Sequence, residues 1–133
     1  MAFYDNFFKS VGGFVSEEEK VQWLNRMHVA VNTSAKEGWG LTAIEANACG
    51  TPTVSSNVQG LRDAVLDGET GLLYEYGNRE QLAEKIILLL RDAHLRERLT
   101  VNALTRSKEF DWQIGAEKTM EVIERVVREN KIK

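Results

Sequence analysis

Ser34-Ala35-Lys36-Glu37-Gly38-Trp39-Gly40-Leu41-Thr42-Ala43-Ile44-Glu45-Ala46 is the stretch on which the fold turns. It follows Val29-Ala30-Val31, short and β-branched, the pattern of a buried parallel strand. It leads into a helix expected from Leu41 to Cys49, stopped by Gly50, the residue type best suited to the left-handed turn after a helix end. Strand, glycine-bearing turn and helix therefore follow one another. In parallel sheets such turns lie beyond the carboxyl ends of the strands, where ligands bind.

Downstream the same alternation repeats. Pro52 enters a second strand, Thr53-Val54-Ser55, and a loop through Gly60 leads to a short helix over Leu61 to Leu66. Gly68 closes that helix, and Gly71-Leu72-Leu73-Tyr74 forms a third strand. Upstream, Ser16 followed by Glu19 has the spacing of a capping box. The helix it opens is expected to reach about Met27 and to bury Val21, Leu24 and Met27. Phe7, Phe8 and Val11 suggest one more strand within residues 7–15, interrupted by Gly12-Gly13.

From Asn78 the pattern becomes wholly helical. Asn78 with Gln81 reads as a cap, and Leu82, Ile86, Leu89 and Leu90 recur at helical spacing. A second helix is expected over Leu95 to Glu109. A third begins near Trp112, with Ala116, Met120, Ile123 and Val127 as its core-facing stripe. Strands alternating with helices imply an α/β fold. We expect a three- to four-stranded parallel sheet with flanking helices and a helical C-terminal tail, in one domain over 1–133. Its α/β part covers 1–77 and its helical part 78–133.

With 133 residues, a compact chain can bury a core without disulfides or metals. Its 43% hydrophobic and 28% charged composition is that of an ordinary globular protein. A net charge of −3 gives no reason to expect nucleic acid as a partner. The lone Cys49 allows no intrachain disulfide and no paired-cysteine motif, and reads as a packing residue. No Asp-x-Asp and no His/Cys cluster of metal spacing occurs, so no metal is expected. No apolar run approaches the roughly 20 residues of a membrane span, and the N-terminus lacks a signal-peptide core. The expected location is cytoplasmic.

The chemistry concentrates in the opening stretch. Gly38 and Gly40 let a ligand approach the backbone. The helix from Leu41 aims unpaired N–H groups and the positive end of its dipole into the turn. That outlines a phosphate or diphosphate site. Glu37 in the loop and Glu45 about one turn into the helix frame it. Carboxylates are poor neighbours for phosphate but good acceptors for paired hydroxyls, so a sugar and a ribose are their natural partners. Taken alone, a glycine-bearing loop ahead of a helix is more often structural, and both carboxylates read equally well as solvated charges.

Glu37-Gly38-Trp39-Gly40-Leu41-Thr42 through Glu45-Ala46 resembles the Glu, seven residues, Glu motif of the retaining GT-B glycosyltransferases, glycosyltransferase group 1. Ala48-Cys49-Gly50-Thr51-Pro52-Thr53-Val54 is similar to the strand that follows in that family, and Val65 through Leu73 to its next segment. Phe110-Asp111-Trp112 is similar to the start of its closing helix. Gln59-Gly60-Leu61-Arg62-Asp63 departs mildly from the family's Gly-Gly-x-x-Glu.

The resemblance implies a partial Rossmann-like fold, half of a GT-B C-terminal domain, and a nucleotide diphosphate sugar as substrate with no separate cofactor. Glu37 would be the catalytic-site residue holding hydroxyls of the donor sugar, and Glu45 would hold the ribose. Backbone groups of Gly38, Trp39, Gly40, Leu41 and Thr42 would hold the diphosphate or sugar. The family's acceptor-binding N-terminal domain and its phosphate-binding Arg and Lys have no counterpart in this sequence. The chain alone is therefore expected to be inactive, and to associate as a homodimer or with such an N-terminal domain. A non-catalytic sugar-nucleotide-binding module and a self-associating structural fragment are the alternatives.

Overall fold

The computed structural model of the protein describes residues 15–130. The strand expected within residues 7–15 falls almost wholly outside them. The first described helix, α1 (Glu17–Arg26), opens on the expected capping box. Glu19 N donates to Ser16 Oγ at 3.2 Å and Ser16 N donates to Glu19 Oε2 at 2.9 Å. Glu17, Glu18 and Glu19 in its first turn and Arg26 in its last complement the helix dipole. At its end, Thr51 Oγ1 donates to the carbonyl of Leu24, which fixes α1 to the segment entering the second strand.

Strand β1 (Ala30–Asn32) pairs in parallel with β2 (Thr53–Ser56), and β2 pairs in parallel with β3 (Gly71–Tyr74). The order is β1-β2-β3, with Val31 opposite Val54 and Val54 opposite Leu72. Helix α2 (Leu41–Ala48) connects the first pair and α3 (Leu61–Ala64) the second. After β3 come α4 (Arg79–Arg91), α5 (Ala93–Ser107), a 3-10 turn (Lys108–Phe110) and α6 (Trp112–Asn130). The Asn78 cap forms as expected, its Oδ1 accepting from Gln81 N at 3.0 Å. The helix expected to reach Leu66 stops at Ala64.

Alternation along the strands divides the core in two. Ala43, Ile44, Leu61, Ala64 and Val65 bury one face together with Leu73. On the other, Val54, Leu72 and Tyr74 meet Leu89 of α4 and Leu99 of α5. Both faces of the parallel sheet are thus covered, α2 and α3 on one side and the rear helices on the other. Fully burying each Leu or Val contributes on the order of 1.5–3 kcal/mol. Helix α5 also ties neighbouring segments together: Thr100 Oγ1 donates to Gly50 O at 3.0 Å, Asn102 Nδ2 to Glu69 O at 3.0 Å and Arg106 Nη2 to Asp63 O of α3 at 3.0 Å.

Three expectations of burial fail. Val21 and Met27 of the α1 region are each 43% exposed and Leu24 is only half-buried, because α1 is held by polar contacts rather than seated on the sheet. Leu90 is 54% exposed, lying off the stripe that Leu89 brings to the core. Every residue of α6 is exposed, including Ala116, Met120, Ile123 and Val127. That helix departs after the 3-10 turn and packs against it, so its apolar stripe meets no core.

Candidate functional site

The loop from Thr33 to Gly40 leaves the carboxyl end of β1 and is built by four devices, two of them local and two from later in the chain. Asn32 works in two directions: its Oδ1 accepts from Ser34 N at 3.0 Å and its Nδ2 donates to Thr42 Oγ1 at 3.0 Å. It thereby ties the end of the strand to the first turn of α2. Ser56 Oγ donates to the carbonyl of Ser34, fastening the loop to the end of β2. Gly60, at φ +86°, packs so closely that a Cβ there would overlap the carbonyl of Glu37. Gly40, at φ +72°, turns the chain into α2, where a Cβ would come within 2.9 Å of Ala64 Cβ. Both positions need a residue without a side chain and with access to positive φ.

Gly40 caps α2 without any side-chain hydrogen bond. Its carbonyl accepts from Ala43 N at 2.9 Å and Ile44 N at 3.1 Å. The amides ahead of these have no intrahelical partner, and they carry the positive end of the dipole. Nothing crowds Gly38, and Leu41 and Thr42 are exposed, so this end of the helix is open to a ligand.

Glu37 is half-buried in the middle of the loop. Glu45 lies on the side of α2 that faces α1, where its Oε1 accepts from Lys20 Nζ at 3.1 Å. The same ammonium pairs with Glu17 Oε2 at 2.7 Å. These bonds, from Glu17 first and then Glu45, raise the Lys20 pKa. One turn beyond Glu45, burial chiefly, and then the Glu45 charge, pushes the Cys49 thiol up. Glu37 thus lies in the loop ahead of α2 and Glu45 one turn inside that helix, in separate surroundings.

Trp39 is 52% exposed, and its ring meets Phe110 edge-on, centroids 6.0 Å apart at 89°. Arg106 stacks on the other ring partner, its Cζ 5.3 Å from the Phe110 centroid. The loop is thus anchored to the start of the tail. Sequence reading missed Asn32, Ser56, Lys20 and Phe110 as parts of this assembly. A polar residue at a strand end was the available signal for Asn32, whereas the other three depend on tertiary approach.

A cleft of about 390 Å³ lined by Met27, His28, Pro52 and Arg96 among others sits near the amino ends of β1 and β2, away from this chemistry. Among the described residues no group of three or more His, Cys, Asp or Glu could hold a metal. No described helix is long and apolar enough to cross a membrane.

Comparison with known proteins gives a consistent picture. Residues 10–106 match the family described as glycosyl transferases group 1. A D-inositol 3-phosphate glycosyltransferase of Frankia alni is 40% identical over 100 residues, covering 75% of this chain and 25% of that protein. The chain spans about a quarter of the length of the curated relatives it matches. Sucrose-phosphate synthase from Thermosynechococcus elongatus superposes with a TM-score of 0.80 at 32% identity, over 87% of this chain and 29% of that one. Anabaena Alr3699/HepE, solved in complex with UDP and glucose, gives 0.77 at 25% identity, over 86% and 31% of the two chains. The parallel sheet, the loop into α2 and these matches agree: the chain belongs to the glycosyl transferases group 1 family and corresponds to part of the C-terminal domain of a GT-B glycosyltransferase.

Proposed function

We propose that residues 34–45 form the donor side of a glycosyltransferase site and bind a nucleotide diphosphate sugar. The observation that carries this is the open start of α2, without a side-chain cap, with one carboxylate in the loop just ahead of it and another one turn inside. The amides and dipole suit the diphosphate. Glu37 takes hydroxyls of the sugar, and Glu45 takes those of the ribose. The UDP and glucose held by Anabaena Alr3699/HepE support a ligand of this class.

In the transfer, the bond between the anomeric carbon and the diphosphate oxygen breaks while an acceptor hydroxyl oxygen bonds to that carbon, with retention of configuration, and the hydroxyl proton passes to the departing diphosphate. The electron pair goes to the diphosphate, whose growing charge the helix start stabilises. Glu37, by fixing the sugar hydroxyls, orients the anomeric carbon. Positioning of the acceptor and exclusion of water fall to a facing domain, so the chain by itself binds donor without turning it over. Half-exposed Val31, on the outer strand among the described residues, and the apolar side chains of α1 (Val21, Trp23) support association through this edge, with a second copy or with an N-terminal domain.

Calorimetric titration with the diphosphates of uridine, guanosine and adenosine and their sugar conjugates tests the reading. Saturable binding weakened about tenfold or more by Glu45→Ala and by Glu37→Ala supports it. Transfer to an acceptor by the chain alone would overturn the claim of inactivity. No binding at millimolar ligand would leave a structural fragment with an empty site. Sedimentation at tens of micromolar tests the dimer, and monomer alone contradicts it.

A further inference from the structure

The carboxylate assigned to the ribose is not free-standing. Lys20 reaches it from a helix whose start is fixed by the Ser16–Glu19 capping box and whose end is fixed by Thr51. The Lys20 stem therefore has a defined origin, and its ammonium binds Glu45 through Oε1. Among the described residues, Glu45 Oε2 has no hydrogen-bond partner, and the side chain stays 43% exposed. A carboxylate offers about four acceptor positions. One is taken by Lys20, and enough remain for the two O–H donors of a vicinal diol. A carboxylate near a diphosphate also repels it, and a cation bonded to that carboxylate offsets part of the repulsion.

We infer that Lys20 is a positioning residue for the ribose: it holds Glu45 ready to accept the diol and, shared with Glu17, offsets part of the Glu45 charge next to the diphosphate. The inference rests on the donor-site reading. It makes the preference for an intact ribose over a 2′-deoxyribose depend on a residue outside the loop-and-helix motif.

The test compares UDP with 2′-deoxy-UDP on the wild-type chain and on Lys20→Met, Lys20→Gln, Lys20→Arg and Glu45→Ala. The expected result is a wild-type preference for UDP, which shrinks in Lys20→Met and Lys20→Gln as UDP binding weakens by about fivefold, the range of one exposed ion pair. Lys20→Arg restores most of it. In the Glu45→Ala background, removing Lys20 has no further effect on the preference, as a double-mutant cycle requires. Unchanged affinity and preference in folded Lys20→Met or Lys20→Gln overturns the inference while leaving the donor site intact. An equal loss for both ligands that persists without Glu45 overturns it in favour of direct diphosphate contact. Absence of UDP binding by the wild-type chain overturns both.

Discussion

Gly60 backs directly onto the carbonyl of Glu37: the space a Cβ would need is filled by that carbonyl and by Gly38. The loop that carries the first carboxylate is thus seated on a residue 23 positions later in the chain (60 − 37). Gly60→Ala is expected to cost about 1–3 kcal/mol, from positive φ and steric overlap together. It should also shift the amide resonances of Ser34 to Gly40. Urea denaturation and a proton–nitrogen spectrum check both, and an unchanged loop spectrum would contradict the packing.

Phe110→Ala removes the edge-on partner of Trp39 and the platform under Arg106. The aromatic contact alone is worth roughly 0.5–1.5 kcal/mol beyond area. The variant should be destabilised by at least that much and should broaden the indole signal of Trp39. A change confined to Trp112, which is 87% exposed, would place the coupling elsewhere.

Ending the chain after Asp111 removes α6. Because every residue of that helix is exposed, the melting temperature of the remaining α/β unit should move by no more than about 3 °C, less than the shift 1 kcal/mol brings to a domain of this size. The helical circular-dichroism signal should fall at the same time. A drop beyond 8 °C would mean that α6 packs on the domain in solution.

Stability should decline in alkali. Burial raises Cys49 from 9.0 and Tyr74 from 10.0, so each ionises first in the unfolded chain and pulls the equilibrium that way as pH rises past those values. Lys20 is raised from 10.5; its contribution is complete below that value and is lost as pH climbs through the folded pKa. Urea midpoints from pH 7 to 11 should therefore fall from about pH 9, and Cys49→Ala should move the onset toward 10. A flat profile through pH 10.5 would contradict the surroundings described for these groups.

Local chemistry made much of this legible from sequence. The capping box at Ser16, the Asn78 cap, the strands beginning at Thr53 and Gly71, and the glycine entry into α2 are each written within a few residues. The failures share one cause. Periodicity shows that α6 has an apolar face, yet cannot show whether this chain supplies anything to cover it, and Val21 and Met27 fail for the same reason. Lys20 meets Glu45 across 25 residues (45 − 20) and Phe110 meets Trp39 across 71 (110 − 39), and no local spacing encodes such encounters.

The central claim is that the start of α2 and its two flanking carboxylates hold a nucleotide diphosphate sugar. Amide chemical-shift mapping during titration with UDP-glucose tests it most directly. The account predicts saturable shifts centred on Glu37 to Glu45, strongest at Leu41 and Thr42, and needing about tenfold more ligand or beyond in Glu45→Ala. Shifts clustered instead around Met27, His28 and Arg96, or flat spectra at millimolar ligand, would contradict it.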